Sequence, residues 1–136
     1  MGDDFEKKQE AAIAWSAWEA STSTLSYEPE TVASFSEPKF ALAFALIENH
    51  YFVNKGFFDN EDQLIAERAI DKIRHIPTKI IQGRYDMVCP METAWELSKN
   101  WPEAELIITK FSGHSAFEEE TCHHLISATN EFSNRG

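Results

Sequence analysis

The chain has 136 residues, 43% of them hydrophobic, which allows one domain or part of one, and its five glycines and five prolines are too few for a linker or low-complexity protein. A formal net charge of −11 repels phosphate backbones, so nucleic acid is not expected as a partner. Met1-Gly-Asp-Asp-Phe-Glu6 has neither the basic nor the apolar region of a secretory signal, and no run approaches the roughly 18 apolar residues of a membrane span, so no membrane association is expected.

Residues 4–25 read as a helix, with Asp3 or Asp4 as its cap and acids in its first turn. Phe5, Lys8, Ala12, Trp15 and Glu19 share one face by the three-and-four spacing of helical neighbours. Residues 21–37 are rich in Ser, Thr and Pro and read as a loop. A second helix is predicted from Pro38, with Phe40, Phe44, Ile47 and Tyr51 as its apolar stripe and Glu48 at the stripe's border. Phe52 to Asp59 form an aromatic loop around Gly56. A third helix, capped by Asp59 or Asn60, turns Leu64, Ile65, Ala69, Ile70 and Ile73 inward and ends at His75-Ile-Pro77.

The pattern then changes. Thr78 to Gln82 is a short β-branched run, opened by Pro77 and stopped by Gly83, and it reads as a buried strand. Asp86 lies on the loop that leaves it. Glu92 to Asn100 is helical and ends at Trp101-Pro102, where proline disfavours helix in the preceding residue. Leu106 to Thr109 is a second strand, followed by Lys110-Phe-Ser-Gly-His114. Ser115-Ala-Phe-Glu118 has the spacing of a capping box that opens a last helix to about Phe132. Strand, acid loop, helix, strand, histidine loop, helix is an α/β pattern with parallel strands. The first half is all helical, so a boundary falls near residues 71–77.

Asp86 and His114 each follow the carboxyl end of one of two consecutive strands. Neighbouring parallel strands bring such ends together, and ligands and catalysis gather there in open α/β sheets. An acid that orients an imidazole is the supporting half of a Ser-His-Asp machine. The acid fixes the tautomer, and the imidazole takes the nucleophile's proton and later gives it to the leaving group. Spacing alone leaves a turn aspartate and a helix-flanking histidine as the competing description. A metal site built from His114, Glu118 to Glu120 and Cys122-His-His124 is disfavoured, because adjacent helical residues point about 100° apart and do not converge. Cys89 as a nucleophile has nothing in the sequence to activate it. No metal or cofactor is expected.

Four blocks resemble the proline iminopeptidases (prolyl aminopeptidases), serine peptidases of the α/β-hydrolase class: Trp15-Ser-Ala-Trp-Glu19, Ala45-Leu-Ile-Glu-Asn-His-Tyr-Phe-Val-Asn54, Gln82-Gly-Arg-Tyr-Asp-Met-Val-Cys-Pro90 and Gly113-His-Ser-Ala116. The resemblance implies that Asp86 is the triad acid and His114 the triad base. It implies that Glu19 and Glu48 hold the free amino group of a peptide's N-terminal proline. It also implies a fold. Residues 1–74 would be part of a helical cap, and residues 75–136 the C-terminal part of an α/β-hydrolase core, two parallel strands with their helices.

One departure bears on mechanism. A nucleophile elbow needs Gly-x-Ser-x-Gly, and no two of the five glycines stand four apart. The family's glycine-rich oxyanion segment is absent too. The expected activity, release of N-terminal proline by acyl transfer in the cytoplasm, therefore lacks its serine in this chain. With no secretory signal, Cys89 and Cys122 are expected as reduced thiols. The alternative is a non-catalytic truncated product, or one part of a split enzyme that needs an N-terminal partner.

Overall fold

The computed structural model describes residues 2–59 and 67–134. The chain divides into two compact units, one of Met1–Thr22 with Ser26–Asp59, the other of Ser23–Leu25 with Asn60–Gly136. Among the described residues no helix is long and apolar enough to cross a membrane.

The first unit is helical. Helix α1 spans Gly2–Ser23, so Asp4 lies inside its first turn and does not cap it. Its buried stripe is Ala12, Ser16, Glu19 and Ala20, while Phe5 and Trp15 on the expected face stay exposed. Small residues let helices approach closely, and the Ser16 hydroxyl reaches 3.5 Å from the Ala41 carbonyl. The stretch expected as loop holds a short helix, α2, at Pro29–Phe35. Proline at its start is preorganised for the first turn, and Phe35 packs on Phe40 and Phe44 with ring centroids 5.0 and 5.5 Å away. That packing is invisible to local propensity, which explains why the sequence reads as loop.

Helix α3, Pro38–Val53, starts where expected. The Glu37 carboxylate caps it by accepting the Phe40 backbone N–H at 2.9 Å. Its buried contact is Ala41, whereas Phe40, Ile47 and Tyr51 of the expected inward stripe are exposed. Residues Lys55–Phe57 make a single left-handed turn, with φ of 51°, 61° and 63° at Lys55, Gly56 and Phe57. Glycine relieves that conformation at one of the three positions. The start of the expected third helix, including Leu64 and Ile65, lies outside the described residues.

In the second unit a helical turn, α4 at Glu67–Ile70, leads into strand β1, Lys79–Gly83. Helix α5, Met91–Asn100, then leads to strand β2, Glu105–Thr109, and helix α6, Glu119–Ser133, follows. The strands pair in parallel, Lys79 against Glu105 through Gly83 against Thr109. Ile70, Trp101 and Ala104 form the core cluster, with Ile80 and Leu97 packed against it. Ile70 is inward as expected, and Ile73 is not.

The capping box does not form. The Ser115 hydroxyl accepts the Phe117 N–H at 3.2 Å, closing a tight turn, and α6 begins only at Glu119. Glu118 does not reach back to Ser115. Its two carboxylate oxygens accept the backbone N–H groups of Leu25 and Gly113.

Candidate functional site

Parallel pairing in register puts the carboxyl ends of β1 and β2 side by side, and the loops leaving them touch. Arg84 N–H donates to the Thr109 carbonyl and Tyr85 N–H to the Ser112 carbonyl, each at 3.0 Å. The approach is close enough that a Cβ added at Gly83 would stand 1.8 Å from the Gly113 carbonyl oxygen. Any side chain at position 83 would push the two loops apart.

Asp86 is 9% exposed at the tip of the first loop, so its carboxylate must find partners within the protein. Oδ1 accepts the backbone N–H groups of Val88 and Cys89 at 3.0 and 2.8 Å. Oδ2 lies 3.1 Å from Gln82 Nε2 and 3.0 Å from His114 Nδ1. Four donors match the acceptor capacity of a carboxylate. A carboxylate can only accept, so the hydrogen of this pair sits on Nδ1, and in the neutral ring Nε2 is then the nitrogen that keeps its lone pair. That is the tautomer a general base needs.

His114 is held by its backbone. Its N–H, like that of Ser115, donates to the Ser23 carbonyl at 2.8 Å. Glu118 ties Leu25 and Gly113 to the same place. Glu120 accepts the N–H groups of Lys110 and Phe111 at 2.8 and 3.0 Å, and these two bonds hold its carboxyl below the usual value. The histidine loop is thus pinned by two glutamates from the start of α6 and by the 23–25 segment, while the His114 side chain remains 39% exposed.

Of the four residues expected at the site, the structure brings Asp86 and His114 together. Glu19 and Glu48 lie in the helical unit. Glu19 is 8% exposed within α1. Glu48 is half-buried on α3, and its carboxylate accepts the Trp15 indole N–H at 2.6 Å. Trp15 in turn stands 5.4 Å from Trp18 between ring centroids. The sequence reading gives Gln82 no role at the site, and gives Glu120 none beyond the disfavoured metal site. The available signal for Gln82 was its polarity at the end of an apolar strand. Glu118 was assigned the wrong partner.

No family model matches the chain. It is 52% identical to a proline iminopeptidase of Xylella fastidiosa over 96% of this chain and 41% of the relative. It is 51% identical to one of Xanthomonas citri over 96% and 41%. With one of Arabidopsis thaliana the identity is 52% over 93% of this chain and 33% of the relative. The chain thus spans about two-fifths or less of the length of these relatives, matching their C-terminal part. Among solved structures, the esterase EaEST of Exiguobacterium antarcticum aligns over 95% of this chain and 47% of its own, with a TM-score of 0.54 at 20% identity. That likeness speaks to fold alone, and the fold is that of part of an α/β-hydrolase core. Over nearly its whole length the chain is similar to the C-terminal part of proline iminopeptidases, and it carries part of an α/β-hydrolase core.

Proposed function

We propose that this chain supplies the acid, the base and the amino-group-binding carboxylates of a cytoplasmic peptidase that releases N-terminal proline from peptides. The observation that carries the reading is the Asp86–His114 contact of 3.0 Å at the ends of adjacent parallel strands. In this reading residues 1–74 are part of the cap and residues 75–136 part of the core. His114 Nε2 takes the proton of a serine and returns it to the leaving amine, while Asp86 stabilises the imidazolium. Glu19 and Glu48 hold the protonated secondary amine of the terminal proline. Two carboxylates near Trp15 and Trp18 suit a single charge on a small apolar ring.

The serine is not in this sequence, because no Gly-x-Ser-x-Gly occurs in it. Without a nucleophile no acyl-enzyme forms, so the 136-residue chain by itself is inactive in this reading. The relatives' greater length favours a serine supplied by an N-terminal portion outside these 136 residues over a role unrelated to catalysis.

The test is release of proline from a prolyl-arylamide by the purified chain. No release is expected from the chain alone, and release is expected once the N-terminal portion of a relative is added. Turnover by the chain alone that His114→Ala abolishes would overturn the missing-nucleophile reading. Turnover in the mixture that is indifferent to His114→Ala would overturn the assignment of the base.

A further inference from the structure

We propose that Gln82 is a positioning residue for the Asp86–His114 pair, fixing the carboxylate oxygen on which the imidazole rests. The proposal rests on the reading of that pair as acid and base.

Gln82 is on β1, one residue before the glycine where the two loops meet. Its Nε2 lies 3.1 Å from Asp86 Oδ2, 3.1 Å from the Cys89 carbonyl and 3.3 Å from the Gly83 carbonyl. All three partners are acceptors, so only the amide nitrogen can face them, and the chemistry itself sets the orientation of the amide. Two hydrogens go to the two nearer partners. One bond fixes Oδ2. The other ties Cys89 back to the strand, and Cys89 belongs to the turn whose N–H groups hold Oδ1.

A single side chain therefore restrains both the carboxylate and the turn that cradles it. Asp86 Oδ2 is shared between Gln82 and His114. Without Gln82, rotation of the carboxylate about its Cβ–Cγ bond would be opposed only by the two bonds to Oδ1 and by the imidazole it is meant to orient. The imidazole would then face a less fixed acceptor, and its preference for hydrogen on Nδ1 would weaken. Gln82 touches neither substrate nor the reacting atoms in this scheme, so its effect passes entirely through Asp86.

The experiment is nitrogen-15 NMR of the histidine rings and of the Gln82 side-chain amide in the full chain. Wild type is expected to show His114 in a single tautomer, hydrogen on Nδ1, and a Gln82 amide with slowed hydrogen exchange. Asp86→Asn is expected to lose both signatures. Gln82→Met, close in shape but without a donor, is expected to shift His114 towards the mixed-tautomer pattern while its melting transition is retained. Gln82→Glu, of the same shape but able only to accept, is expected to shift it further by setting a second carboxylate against Oδ2.

A wild-type Gln82 amide that exchanges as freely as an exposed one overturns the proposal, even if no Gln82 variant folds. A Gln82→Met chain with lowered melting and an unchanged His114 ring also overturns it, leaving the residue a structural part only. If Asp86→Asn leaves the His114 ring unchanged, the failure lies with the reading of the pair itself.

Discussion

Oδ2 of Asp86 stands 3.0 Å from Nδ1 of His114, joining two loops that leave neighbouring parallel strands. The contact orients the ring and gives Nε2 its lone pair. In a complex that supplies the serine, Asp86→Asn is expected to lower kcat on the order of 10⁴-fold, because an asparagine amide can favour the wrong tautomer. Steady-state kinetics on the prolyl-arylamide check this, and a loss below tenfold would contradict the assignment.

Gly83 is where the two loops come closest. Alanine there would place its Cβ 1.8 Å from the Gly113 carbonyl oxygen, which is backbone and cannot swing aside. Gly83→Ala is expected to cost roughly 3 kcal/mol in unfolding free energy. Denaturant titration reads the change, and a variant as stable as wild type would show that the loops separate easily.

Glu118 joins the 23–25 segment to the histidine loop through the N–H groups of Leu25 and Gly113. Backbone bonds to a charged acceptor are among the stronger ones, so Glu118→Ala should destabilise by about 2 kcal/mol. The specific signature is faster hydrogen exchange at the Leu25 and Gly113 amides, with the β1–β2 ladder amides little changed. Uniform acceleration across all of them would point to general loosening instead.

Glu120 gives a pH dependence of known sign. The Lys110 and Phe111 N–H groups hold its folded carboxyl below the usual 4.5. A carboxyl with a depressed folded value stabilises the protein above its unfolded value, and that stabilisation disappears as pH falls through the folded one. Glu120→Gln should therefore be less stable than wild type at neutral pH, and the gap should close below about pH 4.5. Melting temperatures across the acid range test this. A gap that stays constant to low pH would show that the charge is not what matters.

Sequence by itself determined the order of elements in the second unit. The β-branched runs ending at Gln82 and Thr109 favour extended backbone, although most of their side chains are only half-buried, and Pro77, Gly83 and Trp101-Pro102 punctuate them by local sterics. From that order followed the meeting of Asp86 and His114, since parallel neighbours share an end. The family resemblance was legible as well, because it rests on contiguous blocks of side chains.

Only tertiary structure decided the rest. The helix at Pro29–Phe35 depends on rings that Phe40 and Phe44 bring to Phe35 from the next helix. The inward faces of α1 and α3 run through Ala12, Ser16 and Ala41, because close helix approach selects small residues over the larger ones that periodicity highlights. Glu118 has the spacing of a capping partner for Ser115, yet its carboxylate is taken by two backbone N–H groups, one of them far away in sequence. Gln82 became a partner of Asp86 only because the loop leaving β1 folds back over the strand end and aligns three acceptors on one amide nitrogen. Hydrogen bonds of that kind are set by where the backbone returns in space, and spacing along a chain does not encode it.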